Sequence, residues 1–166
     1  MKAWLPEEEE VYGVLKKLGI GFSRHEHPPV FTVAEAEPYW ACLPGTHCKN
    51  LFLRDEKGKR HFLLIAEFHK PVNLKKLAAT VGEKRLSFAS AERLRRFLGL
   101  DPGSVSPFGL LHDQKKEVEV LVDAELESAA KVYFHPNTNT VTIGLSLEDF
   151  KRFLAWTKNP VRFLKL

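Results

Sequence analysis

The sequence of 166 residues is poor in cysteine, contains no long apolar run and carries only a small excess of positive charge. Its two cysteines, Cys42 and Cys48, are too few for a disulfide-stabilised scaffold, so we expect free thiols and a reducing, cytoplasmic environment. No apolar run approaches the roughly 20 residues needed to cross a membrane. Residues 1–10 are acidic and have no apolar core, so we expect neither a signal peptide nor membrane association.

The composition is that of an ordinary globular protein, with 44% hydrophobic and 28% charged residues. A formal charge of +4 and a pI near 9.1 permit a polyanionic partner without requiring one. Glycine and proline fall at the predicted ends of helices and strands rather than in a linker, and the sequence has no internal repeat. We therefore predict one domain over residues 1–166.

Capping residues mark the starts of five predicted helices. Pro6 opens the first, followed by an acidic turn that suits the positive end of the helix dipole. Thr32 and Glu35 form a T-x-x-E capping box for a short second helix, which Pro38 is expected to end. The other three helices are predicted to begin at Asn73, Ser90 and Ser146.

Apolar and alternating segments predict the strands. Residues 50–54 and 60–66 are predicted to form a hairpin through a turn at residues 55–58. Further strands are predicted over residues 20–25, 108–111, 118–122, 132–134 and 140–144. Because helices and strands interleave irregularly, the pattern favours an α/β fold in which a central mixed β-sheet is surrounded by helices.

Three segments contain residues that folding alone does not require. The first covers residues 45–50, immediately before the predicted hairpin. A loop that leads into a buried strand would place Lys49 and Asn50 at the rim of the sheet. A cation and an amide at that position can bind a phosphate and a carbonyl group. The alternative is a solvated lysine and a turn asparagine at the start of a hairpin, and the local pattern alone favours that alternative.

The second segment, residues 103–107, is rich in small residues and ends at a proline. Its backbone N–H groups can point into a cleft, as the binding of an anion or a carbonyl oxygen requires. An ordinary loop between a helix and a strand explains the same residues, because the spacing G-x-x-x-P is common.

The third segment surrounds His135, at the end of a predicted strand that Pro136 prevents from continuing. A histidine flanked by amides and hydroxyls can orient a substrate or transfer a proton. A hairpin turn that carries a partly exposed histidine explains the same residues equally well.

Other catalytic and metal-binding patterns are absent or weak. Cys42, His47, Cys48 and His135 lack the usual spacing of zinc ligands, so we predict no metal and no cofactor. The sequence has no G-x-S-x-G, Walker A or H-E-x-x-H motif. Cys48 is expected to pack as a small side chain rather than act as a nucleophile. Two further histidines are expected at the surface, His25 and His27.

Taken together, the three segments resemble the YbaK-type editing domains, and more narrowly the prolyl-tRNA synthetase-associated branch of that family. The similar strings occur in order along nearly the whole chain, which makes the similarity specific. They are residues 27–32 (HPPVFT), 45–55 (GTHCKNLFLRD), 86–89 (LSFA), 103–107 (GSVSP) and 132–136 (VYFHP).

The resemblance implies an α/β editing domain that hydrolyses the ester of mischarged alanyl-tRNA(Pro). It implies that Lys49 holds the phosphate of the terminal adenosine, that the loop 103–107 surrounds the aminoacyl ester, and that His135 lines the pocket. The catalytic residues assigned in this way are Lys49, Asn50, Gly103, Ser104, Val105, Ser106, Pro107 and His135. Additional substrate-binding candidates are Phe31, Thr46, His47 and Phe108.

The expected partner is tRNA(Pro) carrying a mischarged small amino acid, with a transient association with prolyl-tRNA synthetase and a monomeric state. Cysteinyl-tRNA(Pro), or tRNA(Pro) with another small amino acid, is an alternative substrate. A noncatalytic tRNA-binding module and a metal hydrolase are alternatives from other classes. Turnover of alanyl-tRNA(Pro) distinguishes the first of these, and the effect of a chelator distinguishes the second.

Overall fold

The structure is a computed structural model that describes residues 3–166, apart from the side chain of Val33. Met1 and Lys2, which begin the predicted domain, lie outside the described residues. The α-helices are α1 Pro6–Lys17, α2 Val33–Trp40, α3 Leu74–Val81, α4 Ala91–Leu98 and α5 Leu147–Thr157. The strands are β1 Ser23–Glu26, β2 Thr46–Asp55, β3 His61–Glu67, β4 Leu86–Phe88, β5 Val118–Asp123, β6 Lys131–Phe134, β7 Val141–Ser146 and β8 Val161–Leu164. Two 3-10 helices cover Pro107–His112 and Ala124–Ser128.

The eight strands form one mixed sheet in the order β1-β7-β6-β2-β3-β5-β8, with β4 paired to the end of β2. The central strand β2 is antiparallel to β3 and β4 but parallel to β6. β5 is parallel to both β3 and β8. The predicted α/β fold with a central mixed sheet surrounded by helices is therefore confirmed.

Helices cover both faces of the sheet. Successive side chains of a strand point to opposite faces, so the residues of β3 alternate between two apolar cores. Leu63 and Ile65 belong to the larger core, which also contains residues of α1, α4 and α5. Phe62 and Leu64 belong to the smaller core, which contains residues of α3. A third, separate apolar cluster involves α2 and consists of Val30, Ala36 and Trp40, with Leu43 and Phe68 packed against it.

One edge of β2 has two strand partners with a gap between them. Thr46 and His47 pair with β6, whereas residues 53–55 pair with β4. In the described part of the chain, residues 48–52 have no strand partner on this edge. Lys49 and Asn50 lie in the gap, so the sheet is open where the sequence predicts functional residues.

The predicted helix starts are confirmed by side-chain caps, each of which accepts a backbone N–H in the first turn. The capping residues are Thr32, Asn73, Ser90 and Ser146. Pro38, however, does not end α2 but lies inside it. Proline removes one backbone hydrogen bond from this short helix, and the Ala41 N–H still donates to the Glu37 carbonyl at 3.0 Å.

The prediction of a strand over residues 108–111 is wrong, because these residues belong to the 3-10 helix Pro107–His112. The Ser106 hydroxyl accepts the Phe108 N–H at 3.1 Å and so caps the helix, and Pro107 occupies its first position. The short strands β4 and β8 were not predicted. None of the helices within residues 3–166 is long and apolar enough to cross a membrane.

Candidate active site

A cavity of about 430 Å³ lies beside the gap in β2, between α2, the loop at residue 103 and the end of β6. Six of the predicted site residues line it together: Phe31, Lys49, Asn50, Gly103, Val105 and His135. The remaining lining residues are Val30, Thr32, Ala36, Trp40, Cys48 and Phe68. Residues that are far apart in the sequence therefore form one site.

Lys49 supplies an ammonium group whose charge has no close counter-ion. Its Nζ donates to the backbone carbonyl of Lys70, and among residues 3–166 no carboxylate forms a salt bridge with it. Burial lowers the pKa of Lys49, and the more distant Glu67 partly offsets that effect. The two remaining donor positions of the ammonium group can bind an anion that enters the cavity.

His135 presents a neutral imidazole to the cavity. Its Nδ1–H donates to the Val141 carbonyl at 2.8 Å, which leaves Nε2 with a lone pair. Burial is the main cause that lowers the pKa of His135, and His27 adds to this effect, whereas the hydrogen bond to Val141 opposes it. His135 is therefore suited to accept a hydrogen bond from a substrate ammonium group or from water.

The loop beginning at Gly103 contributes backbone donors. Gly103 has φ +92°, a conformation that favours glycine, and a Cβ there would lie 2.9 Å from the ring of Phe31. Within the described residues, neither the Gly103 N–H nor the Val105 N–H donates to another protein group, whereas the Ser104 N–H donates to the Asp101 carbonyl at 3.1 Å. Two N–H groups are thus available to an oxygen atom of a ligand.

Asn50 carries a buried polar atom that the fold does not satisfy. Its Oδ1 has no hydrogen-bond partner in the described structure. Such an atom costs free energy unless a ligand or water binds it. Phe31, at the rim of the same cavity, is 68% exposed, so the site is open to solvent beside this ring.

Six predicted site residues do not line the cavity. Phe108 packs in the larger core against Phe134 and Phe153, and its side chain is fully buried. Ser106 and Pro107 are also buried, where they begin the 3-10 helix. Ser104 belongs to the loop but is not part of the cavity wall.

Thr46 and His47 line a neighbouring cavity of about 390 Å³, which shares Trp40 and Phe68 with the first. The His47 ring stacks between Trp40, at 4.5 Å, and Tyr133, at 4.4 Å. Burial lowers the pKa of His47 to about 4. His47 therefore supports the wall of the first cavity from behind rather than contacting its contents.

The apolar side of the cavity was not predicted from the sequence. Ala36 and Trp40 are four positions apart on α2, a spacing that places them on one face of the helix and that could have indicated this wall. The prediction that His27 lies at the surface is wrong. The residue is 9% exposed, and its Nε2 atom lies 2.8 Å from the Thr142 hydroxyl on β7. Because residue 142 is distant in sequence, nothing local indicates this burial.

Cys42 and Cys48 are free thiols. Burial raises the pKa of the Cys48 thiol, so that the thiolate required of a nucleophile is disfavoured. Within residues 3–166, no group of three or more histidine, cysteine or acidic side chains is arranged to hold a metal ion.

Comparison with known proteins gives consistent matches. Residues 27–153 match the family model of the aminoacyl-tRNA editing domain. The chain is 39% identical over 159 residues to the prolyl-tRNA editing protein ProX of Acetoanaerobium sticklandii, a match that covers 96% of this chain and 97% of that protein. It is 42% identical over 135 residues to the prolyl-tRNA synthetase associated domain-containing protein 1 of Bos taurus, covering 80% and 79% of the two chains.

A solved structure of a proposed trans-editing enzyme for prolyl-tRNA synthetase superposes on the chain with a TM-score of 0.74. The two sequences are 26% identical, and the superposition covers 99% of each chain. The range matched by the family model, residues 27–153, contains all the residues that line the cavity.

Proposed function

Because the chain belongs to the aminoacyl-tRNA editing domain family, we propose that it hydrolyses the ester of alanyl-tRNA(Pro) and releases free alanine and intact tRNA(Pro). The family membership makes it an aminoacyl-tRNA hydrolase of the prolyl-tRNA editing type. The choice of alanine and the assignment of residues are our proposals.

The observation that carries the proposal is the meeting of Lys49, Gly103, Val105 and His135 in one open cavity. Its volume of about 430 Å³ lies within the range of sites for small ligands, roughly 300–1,000 Å³, so it has room for a terminal nucleoside with a small amino acid. Lys49 would bind the phosphate of the terminal adenosine, since an ammonium group without a counter-ion suits that anion.

In the proposed reaction water attacks the ester carbonyl carbon and forms a tetrahedral intermediate. The bond from this carbon to the ribose oxygen then breaks, and a proton from the attacking water passes to that oxygen. The N–H groups of Gly103 and Val105 would stabilise the negative charge that develops on the carbonyl oxygen. His135 Nε2 would accept a hydrogen bond from the α-ammonium group of the amino acid. An aminoacyl ester is already activated, so orientation and oxyanion stabilisation suffice without a strong general base.

In this proposal the vicinal hydroxyl of the tRNA orients the attacking water, so no general base from the protein is needed. We therefore expect alanyl-tRNA(Pro) that ends in 2′-deoxyadenosine to be hydrolysed far more slowly than the normal substrate. A rate equal to that of the normal substrate would contradict substrate assistance and would require a protein base.

The selection of alanine has a physical rationale. A synthetase site that accepts proline cannot strongly reject a smaller side chain, since each missing methylene is worth only about 1–3 kcal/mol. A second site can supply the missing discrimination by excluding proline sterically. The rings of Trp40 and Phe68, packed edge to face at 4.4 Å, would form the wall that limits side-chain size.

The experiment that tests the proposal measures initial rates with alanyl-, cysteinyl-, seryl- and prolyl-tRNA(Pro) in parallel, with and without a chelator. We expect alanyl-tRNA(Pro) to be hydrolysed fastest, prolyl-tRNA(Pro) slowest, and the chelator to have no effect. Faster hydrolysis of the cysteinyl ester would reassign the substrate. Binding of alanyl-tRNA(Pro) without turnover would instead indicate a noncatalytic module.

A further inference from the structure

Thr142, on β7, joins two side chains near the cavity through a single hydroxyl group. Its Oγ1 lies 3.3 Å from the indole Nε1 of Trp40 and 2.8 Å from Nε2 of His27. Thr142 is 1% exposed, so water does not compete for these contacts. The three residues come from three different parts of the chain and meet only through the fold.

The hydrogen bonds in this group have one consistent direction. The His27 Nδ1 lies 2.9 Å from the Pro28 carbonyl, which can only accept, so in the neutral tautomer Nδ1 carries the proton and Nε2 carries the lone pair. The Thr142 hydroxyl therefore donates to His27, and the indole N–H of Trp40 donates to the Thr142 oxygen. The hydroxyl group thus serves two partners, and a side chain without a hydroxyl at residue 142 would leave both His27 Nε2 and Trp40 Nε1 without this contact.

The group fixes a wall of the cavity. Trp40 lines the cavity and packs against Phe68, while its ring stacks on His47 at 4.5 Å with an interplanar angle of 16°. Stacking resists a tilt of the indole ring but leaves sliding within the plane of the stack less restricted. The hydrogen bond to Thr142 supplies the missing restraint, because it fixes one edge of the indole.

The same group reaches the polar side of the cavity. The centre of the His27 ring lies 5.7 Å from that of the His135 ring, and the backbone N–H of His27 donates to the Thr140 carbonyl at 3.0 Å. Thr142 thus connects Trp40, on the aromatic wall, with His27, whose ring lies near the His135 ring.

We propose that Thr142 is a positioning residue that sets the upper size limit of the amino-acid site by holding the indole edge of Trp40 in place. This inference rests on the proposed function. Without the hydroxyl group, Trp40 can move away from the cavity, and side chains larger than that of alanine gain access. Thr142 does not line the cavity, so its effect is expected on selectivity more than on the chemical step.

The test compares alanyl-tRNA(Pro) with 2-aminobutyryl-tRNA(Pro), whose side chain is one methylene larger. We expect Thr142→Val to lower the ratio of the two kcat/KM values about tenfold, since one methylene in an apolar site is worth roughly that factor or more. Thr142→Ser keeps the hydroxyl and should retain the ratio within about twofold. Unchanged selectivity in Thr142→Val would overturn the proposal.

Thr157→Val is the matched control. Thr157 is also 1% exposed, and its hydroxyl donates to the Leu154 carbonyl at 2.7 Å, but it is not part of the cavity wall. Its substitution should leave the ratio unchanged. An equal loss of selectivity in Thr157→Val would show that general destabilisation is responsible, and would also overturn the proposal.

A second readout does not depend on catalysis. The chain has three tryptophans, and the indole N–H resonance of Trp40 can be assigned by its loss in Trp40→Phe. We expect Thr142→Val, but not Thr157→Val, to shift that resonance. An unshifted resonance would contradict the contact itself. If the wild-type protein showed no turnover but the resonance shifted as expected, the proposed function and the selectivity role would be refuted. The contact between Thr142 and Trp40 would still be supported.

Discussion

Glu8 is buried and Lys49 is partly buried, but only Glu8 has its charge balanced by a close partner. The Glu8 carboxylate is 1% exposed and accepts from Arg24 at 2.7 Å and from the Tyr12 hydroxyl at 2.8 Å. Its second oxygen accepts the Leu5 N–H at 3.1 Å. The Lys49 ammonium contacts a backbone carbonyl, and among residues 3–166 it forms no salt bridge.

The two regions differ in what remains unsatisfied. Around Glu8 both carboxylate oxygens have partners, so the cluster links α1 to β1 without needing a ligand. Around Lys49 the described fold leaves a cation without a counter-ion, and it leaves a buried amide oxygen on Asn50 and two backbone donors without protein partners. Substitutions near Glu8 should therefore lower stability, and substitutions around the cavity should lower activity.

The largest expected effect is on stability, from Glu8→Ala. Removing one partner of a buried ion pair typically costs about 3–5 kcal/mol, because the remaining charge is left without compensation. We expect urea denaturation to show a loss at the lower end of that range, since Arg24 also contacts Glu26 at 2.7 Å. Glu9→Ala, at the exposed neighbouring position, is the control. A loss under about 1 kcal/mol, or a lower kcat in the folded variant, would weaken the comparison.

The next effect is on activity, from Lys49→Ala. A hydrogen bond to a charged group contributes about 1.5–3 kcal/mol, so kcat/KM should fall about 10- to 100-fold with little change in the free energy of unfolding. Lys49→Arg keeps the charge and should retain part of the activity. Lys75→Ala, on the exposed side of α3, should change neither quantity. Wild-type kinetics in Lys49→Ala would refute the role of the ammonium group.

Gly103→Ala should have a smaller effect on activity. The left-handed conformation at φ +92° costs a non-glycine residue about 1–2 kcal/mol, and the added Cβ would press on the Phe31 ring at 2.9 Å. We expect about a tenfold loss of kcat/KM as the loop shifts. The double variant Phe31→Ala, Gly103→Ala relieves the contact and should show a non-additive recovery. Gly13→Ala, where a Cβ meets nothing within 4 Å, should leave activity unchanged.

The smallest effect is on the pH dependence of stability. Burial lowers the pKa of His47 to about 4, against about 6.5 in the unfolded chain. Between these values the unfolded chain binds a proton that the folded chain does not, so stability is full above about pH 6.5 and falls as the pH drops. We expect His47 to account for about 1 kcal/mol of loss between pH 7 and 5.5. His47→Phe should remove that share, and an unchanged slope would contradict burial of the neutral ring.

Local chemistry made much of the fold predictable. The caps at Thr32, Asn73 and Ser90 act within one helical turn, so the sequence alone indicates where these helices begin. Residues 108–111 were misassigned because a short apolar run suits a buried strand or a helical turn equally well, and the Ser106 cap decided between them.

The site was only partly predictable, since its walls depend on contacts between distant segments. Lys49 and His135 were identified through motif resemblance, and the fold brings both to one cavity. The spacing of Ala36 and Trp40 could have indicated an apolar helix face, but not the contacts of the Trp40 indole with His47 and Thr142, which lie on two different strands. His27 was misplaced for the same reason.

The most direct test of the central claim is binding of a nonhydrolysable analogue, 3′-alanylamino-3′-deoxyadenosine 5′-monophosphate, followed by NMR of the backbone amides. We expect saturable shifts concentrated at Lys49, Asn50, Gly103 and His135, and weaker binding in Lys49→Ala. Shifts concentrated instead at the separate groove lined by Trp4, Tyr12 and Phe22, or no saturable binding, would contradict it.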